Sequence, residues 1–260
     1  MIPIDTDWAS QWAMMLMLTS VRLFGFFLLA PLFAFRAMPM RLRLLLALLL
    51  SWGLMPTLRL QAPPLMLQAG YAWLALELAI GLACGLFVRI GFLAIELFAE
   101  ILSVQSGLSF ASSTFRDPLL SSGVTGEFSG LLTLALAFLM NVHLLLIELL
   151  TQSFRTLPMA TWPAAWSLNA AIELLQLSFA LGVALSMPAV VVYLLFNLAQ
   201  GVMARVSPQL NLFSIGFAIM VPVAFAIMAM IFPAMPELVE RALEAPIDLI
   251  RRGLLPRPGG

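Results

Sequence analysis

Arg89, Glu96, Glu100 and Ser103 are the residues whose types and spacing could do chemistry in this chain of 260 residues. At about 100° per residue from Arg89, Glu96 falls at about −20°, Glu100 at about +20° and Ser103 at about −40°, so one helical face would carry all four. A proton or ion relay is one reading of such a stripe. Pairing of Arg89 within the chain or across subunits is the other, favoured because no carboxylate is known to face it. The single histidine, His143 in NVHLL, reads as a hydrogen-bonded interior residue in preference to a proton shuttle. One cysteine, Cys84, excludes an intramolecular disulfide, and together with one histidine it leaves no local His/Cys metal cluster. Nucleophile–base pairs, a Walker loop, a GxGxxG run and paired carboxylates in a supporting context are all missing, so neither enzyme activity nor a cofactor is expected. If the protein moves something, the energy comes from elsewhere.

The elements that would position these residues are strongly apolar. Hydrophobic residues make up 62% of the chain and charged residues 10%, and the mean hydropathy is +1.04. An ordinary soluble domain has about 25% charged residues, so a polar exterior cannot be assembled here. Lipid or a shell of apolar partner subunits must take the place of water. Basic and acidic residues number 13 each, every basic one being arginine, and this balance gives no reason to expect nucleic acid. The start, MIPIDTDW, is acidic and lacks the basic opening of a secretory signal, so the first span is expected to be retained.

Six apolar stretches predict an all-α protein of membrane-type helical hairpins. Residues 12–35 hold one charge, Arg22, whereas residues 44–58 fall short of the roughly 17 that usually span a bilayer. Residues 65–102 would reach roughly 57 Å as one helix, nearly twice a bilayer core of about 30 Å, so they must bend, break or leave the membrane. Residues 128–150 read as one ordinary span. Residues 170–204 are again too long, and Pro188 predicts two pieces at an angle. Residues 212–235 carry Pro222 and Pro233, and from Pro236 an amphipathic surface helix is predicted. With alternate connections on opposite sides, Arg59, Arg155, Arg241, Arg251, Arg252 and Arg257 oppose Arg36, Arg41, Arg43, Arg116 and Arg205, a near tie that orients nothing. The uneven lengths and this tie argue against a simple six-pass bundle in lipid.

Gly81 with Gly85, and Ser178 with Gly182 and Ser186, have the four-residue spacing of close helix approach, within this chain or between subunits. Asn197, Gly201 and Arg205 repeat at the same interval before a break at Ser207 and Pro208. Residues 103–126 mix Ser, Gly and Thr with Leu108, Phe110 and Phe115, and are too long for an ordinary structureless loop. A solvent loop and a segment folded into a cavity by its aromatics compete, and the second is preferred.

RLFGFFLLAPLF at 22–33 followed by Arg36, Ala37 and Pro39, QSGLSFA at 105–111 with Asp117 and Pro118, NVHLLLI at 141–147 and RVSPQLNLFSIGF at 205–217 together resemble the FliR family of flagellar type III export-gate proteins, in the expected order over almost the whole chain. The resemblance implies a core subunit of an export gate in which several copies of FliP and FliQ wind as a helical hetero-oligomer around a pore, with this subunit closing the ring. It implies residues 1–164 as a FliP-like part and residues 165–260 as a FliQ-like helical hairpin with the amphipathic tail. Residues 103–122 would be a plug in the lumen, with Gly107 as its bend and Leu108, Phe110 and Phe115 as its constriction. Val206 would stand in an apolar gasket, where relatives often have Met, and Ala218 stands where IGFP is common. Arg89, Glu96, Glu100, Asn197, Gly201 and Arg205 become subunit-interface candidates. The implied partners are FliP, FliQ, FlhB, unfolded flagellar export substrates and membrane lipid, in the bacterial inner membrane at the flagellar basal body. Two other readings stand beside it: a small-solute secondary transporter with Arg89, Glu96, Glu100 and Glu127 as a midplane site, which would call for inverted repeats that are not visible, and a structural scaffold that lines no pore.

Overall fold

The computed structural model describes residues 6–34, 38–58, 70–105, 123–159, 168–206 and 212–234, with Pro236, Glu237, Glu240, Arg241, Glu244 and Asp248 beyond them. Every regular element among these is helical, as expected: α1 (Thr6–Leu29), α2 (Met40–Leu58), α3 (Gly70–Gln105), α4 (Gly123–Leu139), α5 (Val142–Thr156), α6 (Leu168–Val206), α7 (Leu212–Ile231) and a 3-10 turn at Phe232–Ala234. Three are long and apolar enough to cross a membrane, over Ala9–Leu29, Tyr71–Gln105 and Ala171–Met203. The short stretch that forms α2 is not one of them.

Three boundaries depart from the sequence reading. The span expected over residues 128–150 is two helices, because Asn141 adopts the left-handed conformation at φ 58°, ψ 26°. Asparagine tolerates that region better than most residues, and one such residue ends α4 and re-aims the chain into α5. The Met140 amide closes α4 on the Leu136 carbonyl, and the Leu144 amide opens α5 on Asn141. Pro188 does not split its stretch, since α6 continues through it as one helix. A proline removes one backbone bond, and where water is scarce a full break would orphan several more. The described part of the long stretch at 65–102, from Gly70 onward, is one unbroken helix, α3, which removes a break and leaves bending or leaving the membrane. Its C-terminal turn takes in Ser103, Val104 and Gln105, and Gly123–Gly126 already belong to α4, so both ends of the expected loop are helical. Gly107, Leu108, Phe110 and Phe115 lie outside the described residues. In the tail, the described acidic residues and Arg241 are helical and exposed, and Arg241 pairs with Glu237 one turn earlier at 2.6 Å. That fits the predicted surface helix.

The chain forms two compact units, neither a continuous stretch of sequence: Met1–Gly91 with Asn141–Leu174 and Leu243–Gly260, and Phe92–Met140 with Leu175–Ala242. In the first, α1 and α3 meet at glycines. A Cβ on Gly25 would stand 2.7 Å from the Leu78 carbonyl oxygen, one on Gly85 2.8 Å from that of Phe26, and one on Gly81 would collide with that of Arg22. Phe26, Phe27 and Phe33 cluster nearby, Phe27 and Phe33 with ring centroids 4.4 Å apart. Helix α2 packs chiefly on α1 and buries the stripe Ala47, Ser51 and Met55. In the second unit, Phe98 and Leu102 of α3, Leu136 of α4, Ala189 and Tyr193 of α6, and Ala224 and Ile227 of α7 make the core. Ser178, Gly182 and Ser186 lie on the buried side of α6, where a Cβ on Gly182 would come within 2.8 Å of the Ala94 carbonyl oxygen. The Tyr193 hydroxyl donates to the Met220 carbonyl at 3.2 Å. Both small-residue series therefore pack this chain's own helices.

Gly81→Ala is expected to cost about 1–3 kcal/mol by overpacking. Gly53→Ala, where nothing lies within 4 Å, is expected to be neutral or to gain up to about 1 kcal/mol from helix propensity. Thermal melts of the two purified variants check the contrast, and equal midpoints would refute the close crossing.

Candidate functional site

An isolated charge on an apolar helix at membrane depth costs roughly 2.5–3.5 kcal/mol on insertion scales, so each such charge identifies either a partner or a function. Arg22 of α1 and Glu77 of α3 are both completely buried, and they pair through Nε and Oε2 at 2.5 Å. The rest of the guanidinium reaches the end of α5. Its Nη1 donates to the Ser153 and Leu157 carbonyls and its Nη2 to Leu157, each at 3.2 Å. The Leu157 carbonyl lies just past the last turn of α5, at the negative end of its dipole, so a guanidinium there supplies both a donor and an opposite charge. The Phe154 ring lies beneath the cation, 4.3 Å from centroid to Cζ, and packs in turn with Leu18 and Met159. One buried arginine thus ties α1, α3 and α5 together.

This cluster was missed by residue-pattern reasoning, although its signal was present. Arg22 is the lone charge of the first apolar stretch, and Glu77 precedes Gly81 by one turn on the face where α3 approaches α1. Opposite charges on facing sides of two apolar helices call for each other. Sequence attention fell on Arg89, which the structure leaves exposed.

Glu96 and Glu100 are exposed beside Arg89 on α3, whereas Ser103 is fully buried. The expected stripe of four is therefore three charges. At about −40°, Ser103 falls just across the edge of the buried arc, on the side of Phe92 and Ala99. Asn197, Gly201 and Arg205 are exposed along one side of α6, nothing lies within 4 Å of a Cβ on Gly201, and Val206 is 77% exposed. Large apolar side chains surround them, including Leu194, Leu195, Leu198, Val202 and Met203, all exposed. Only 22% of the span-forming window of α6 is buried, against 44% for α1 and 50% for α3. His143 is half-buried on α5 and Cys84 is buried on α3. Among the described residues, no group of three His, Cys, Asp or Glu side chains could hold a metal ion.

The arrangement separates two kinds of polar residue. Arg22 and Glu77 are satisfied inside the chain and position helices. Arg89, Glu96, Glu100 and Arg205 stand outside on helices long enough to span a bilayer, where lipid tails are poor solvent for them.

Comparison with known proteins gives the same extent of likeness as the motifs. The profile of the bacterial export proteins, family 1, matches residues 13–245. The flagellar biosynthetic protein FliR of Escherichia coli (strain K12) is 31% identical over 256 residues, covering 96% of this chain and 96% of that protein. The flagellar biosynthetic protein FliR of Pectobacterium carotovorum subsp. carotovorum is 32% identical over 233 residues, 88% of each chain. That of Bacillus subtilis (strain 168) is 27% identical over 249 residues, 90% of this chain and 92% of the relative.

Proposed function

The chain belongs to the bacterial export proteins, family 1, and from that membership we propose that it is a core subunit of the flagellar type III protein export gate. It closes a ring of FliP and FliQ copies, with FlhB as a further partner, and controls the passage of unfolded flagellar proteins across the bacterial inner membrane at the basal body. The observation that carries this reading is the end-to-end likeness to proteins named FliR. The uncovered surfaces support it. Outward charges at Arg89, Glu96 and Glu100 and an α6 that is mostly exposed suit helices wrapped by other subunits more than helices bathed in lipid. On the same reading, residues 1–164 are the FliP-like part and residues 165–260 the FliQ-like part, and Asn197, Gly201 and Arg205 face a neighbouring subunit.

Gating is passive. Residues 106–122 contribute the plug, Gly107 bends it, and Leu108, Phe110 and Phe115 make an apolar constriction that excludes water and ions by dewetting. Val206 adds to a gasket around the same conduit. An entering unfolded polypeptide displaces the plug and needs no bound cofactor or nucleotide on this chain. The transporter reading is disfavoured by the outward placement of Arg89, Glu96 and Glu100 on the surface of the chain.

Cysteines in place of Phe110 or Val206 are expected to crosslink to a cysteine-bearing export substrate stalled in transit. A cysteine in place of Leu146, which is fully buried, is expected not to. Assembly and export without either crosslink would leave only the scaffold reading.

A further inference from the structure

Between Asp7 and Glu77 the sequence carries Arg22, Arg36, Arg41, Arg43 and Arg59 and no acidic residue. Arg22 is met by Glu77, as above. Helix α2 then begins with Arg41 exposed, and on the same side of the helix Leu45, Leu48 and Trp52 follow, flanked by Leu44 and Leu49. With Arg41 as origin, Leu45 lies at about +40°, Leu48 at about −20° and Trp52 at about +20°. All are exposed, Leu49 to 74% and Trp52 to 66%. A cation therefore heads a continuous apolar strip.

We propose that this strip is a seat for an anionic phospholipid, with the headgroup phosphate at Arg41 and an acyl chain along Leu45, Leu48 and Trp52. The dimensions fit. From Arg41 to Trp52 the helix rises about 17 Å, close to the about 15 Å depth of one hydrocarbon leaflet, and α2 has too short an apolar run to span both. The composition fits as well. Helices that pack on one another in membranes use small residues for close approach, and in α2 Ala47 and Ser51 are already spent on the buried side. The strip itself is leucine between its two ends, with no hydrogen-bonding side chain along it from Arg41 to the Trp52 indole to register a protein partner. The exposed Arg41 cation, in a stretch of sequence that holds arginine and no acidic residue, favours a negative charge over a zwitterion. The seat depends on the chain being placed in a membrane and not on its acting as a gate.

The test uses the full chain purified in mild detergent with whatever subunits accompany it, offered dioleoyl phosphatidylglycerol or dioleoyl phosphatidylcholine, with bound lipid counted by native mass spectrometry. The wild type is expected to retain phosphatidylglycerol about fivefold better, the worth of one arginine near an anionic surface. Arg41→Gln is expected to erase that preference and Arg41→Lys to keep it, the second variant guarding against simple misfolding. A photoreactive residue at Trp52, activated in native membranes, is expected to yield adducts of phospholipid mass. Equal retention of the two lipids by the wild type, an Arg41→Gln variant as selective as the wild type, or a protein adduct at Trp52 overturns the proposal. The substrate crosslinks at Phe110 and Val206 report on the gate separately, so either reading can fail while the other stands.

Discussion

Arg22→Leu is expected to abolish accumulation of the folded chain in membranes, and with it swarming motility. Removing one partner of a buried pair leaves the other charge uncompensated and costs about 3–5 kcal/mol, a large share of the 5–15 kcal/mol that ordinarily holds a folded protein together. Here the loss extends further, since the same guanidinium also bonds the Ser153 and Leu157 carbonyls at the end of α5 and stacks on Phe154. Glu77→Leu is expected to fail nearly as badly, by leaving a cation among Leu18, Leu74 and Phe154. The double variant Arg22→Met with Glu77→Leu is the informative one. Replacing both charges by apolar groups of similar volume is often neutral, so substantial recovery is expected, short of wild type by the loss of the α5 cap. Immunoblots of membrane fractions and thermal melts of purified protein give the comparison. Single variants that accumulate normally would show that this cluster does not hold α1, α3 and α5 together.

Deleting residues 106–121 is expected to convert a sealed assembly into an ion-conducting one. If Leu108, Phe110 and Phe115 close the conduit by keeping water out, their removal leaves a hydrated path, and planar-bilayer recordings of the purified assembly should pass from baseline to open-pore current. Phe110→Ala and Phe115→Ala are expected to leak less than the deletion, because one truncated ring narrows the dry zone without removing it. Assembly should persist, since the deleted residues lie between α3 and α4 and leave intact the buried core of Phe98, Leu102, Leu136 and Tyr193. Native mass spectrometry separates a leaking gate from one that has fallen apart. Unchanged conductance with intact assembly would remove the plug assignment and leave the export role to rest on other residues.

These two expectations draw on different kinds of information. The plug candidates come from motif order along the chain, because the run of Ser, Gly and Phe before Asp117 is local and can be read wherever it occurs. The Arg22–Glu77 pair comes from geometry, because nothing local to either residue says which helix will face it. Asn141 illustrates an intermediate case. Its residue type permits a left-handed turn, but many asparagines sit inside helices, and the break was visible only once α4 and α5 were distinct. Pro188 is the converse, a residue whose type forecasts a break that the surrounding helix absorbs.

By itself, then, the sequence determined the class of the protein: all-helical, suited to lipid or to apolar neighbours, and a member of an export family over almost its whole length. Those properties are sums over residues or ordered strings of them, and they survive ignorance of where the chain turns. Tertiary structure alone decided which charges are quenched inside and which stand outside, that the glycines at 25, 81, 85 and 182 serve crossings within the chain, and that Ser103 faces inward while Glu96 and Glu100 do not. The reason is physical. Hydrophobic burial follows area and is nearly indifferent to which apolar group supplies it, whereas a buried charge requires one particular partner within hydrogen-bonding distance, and that distance exists only after the helices have packed.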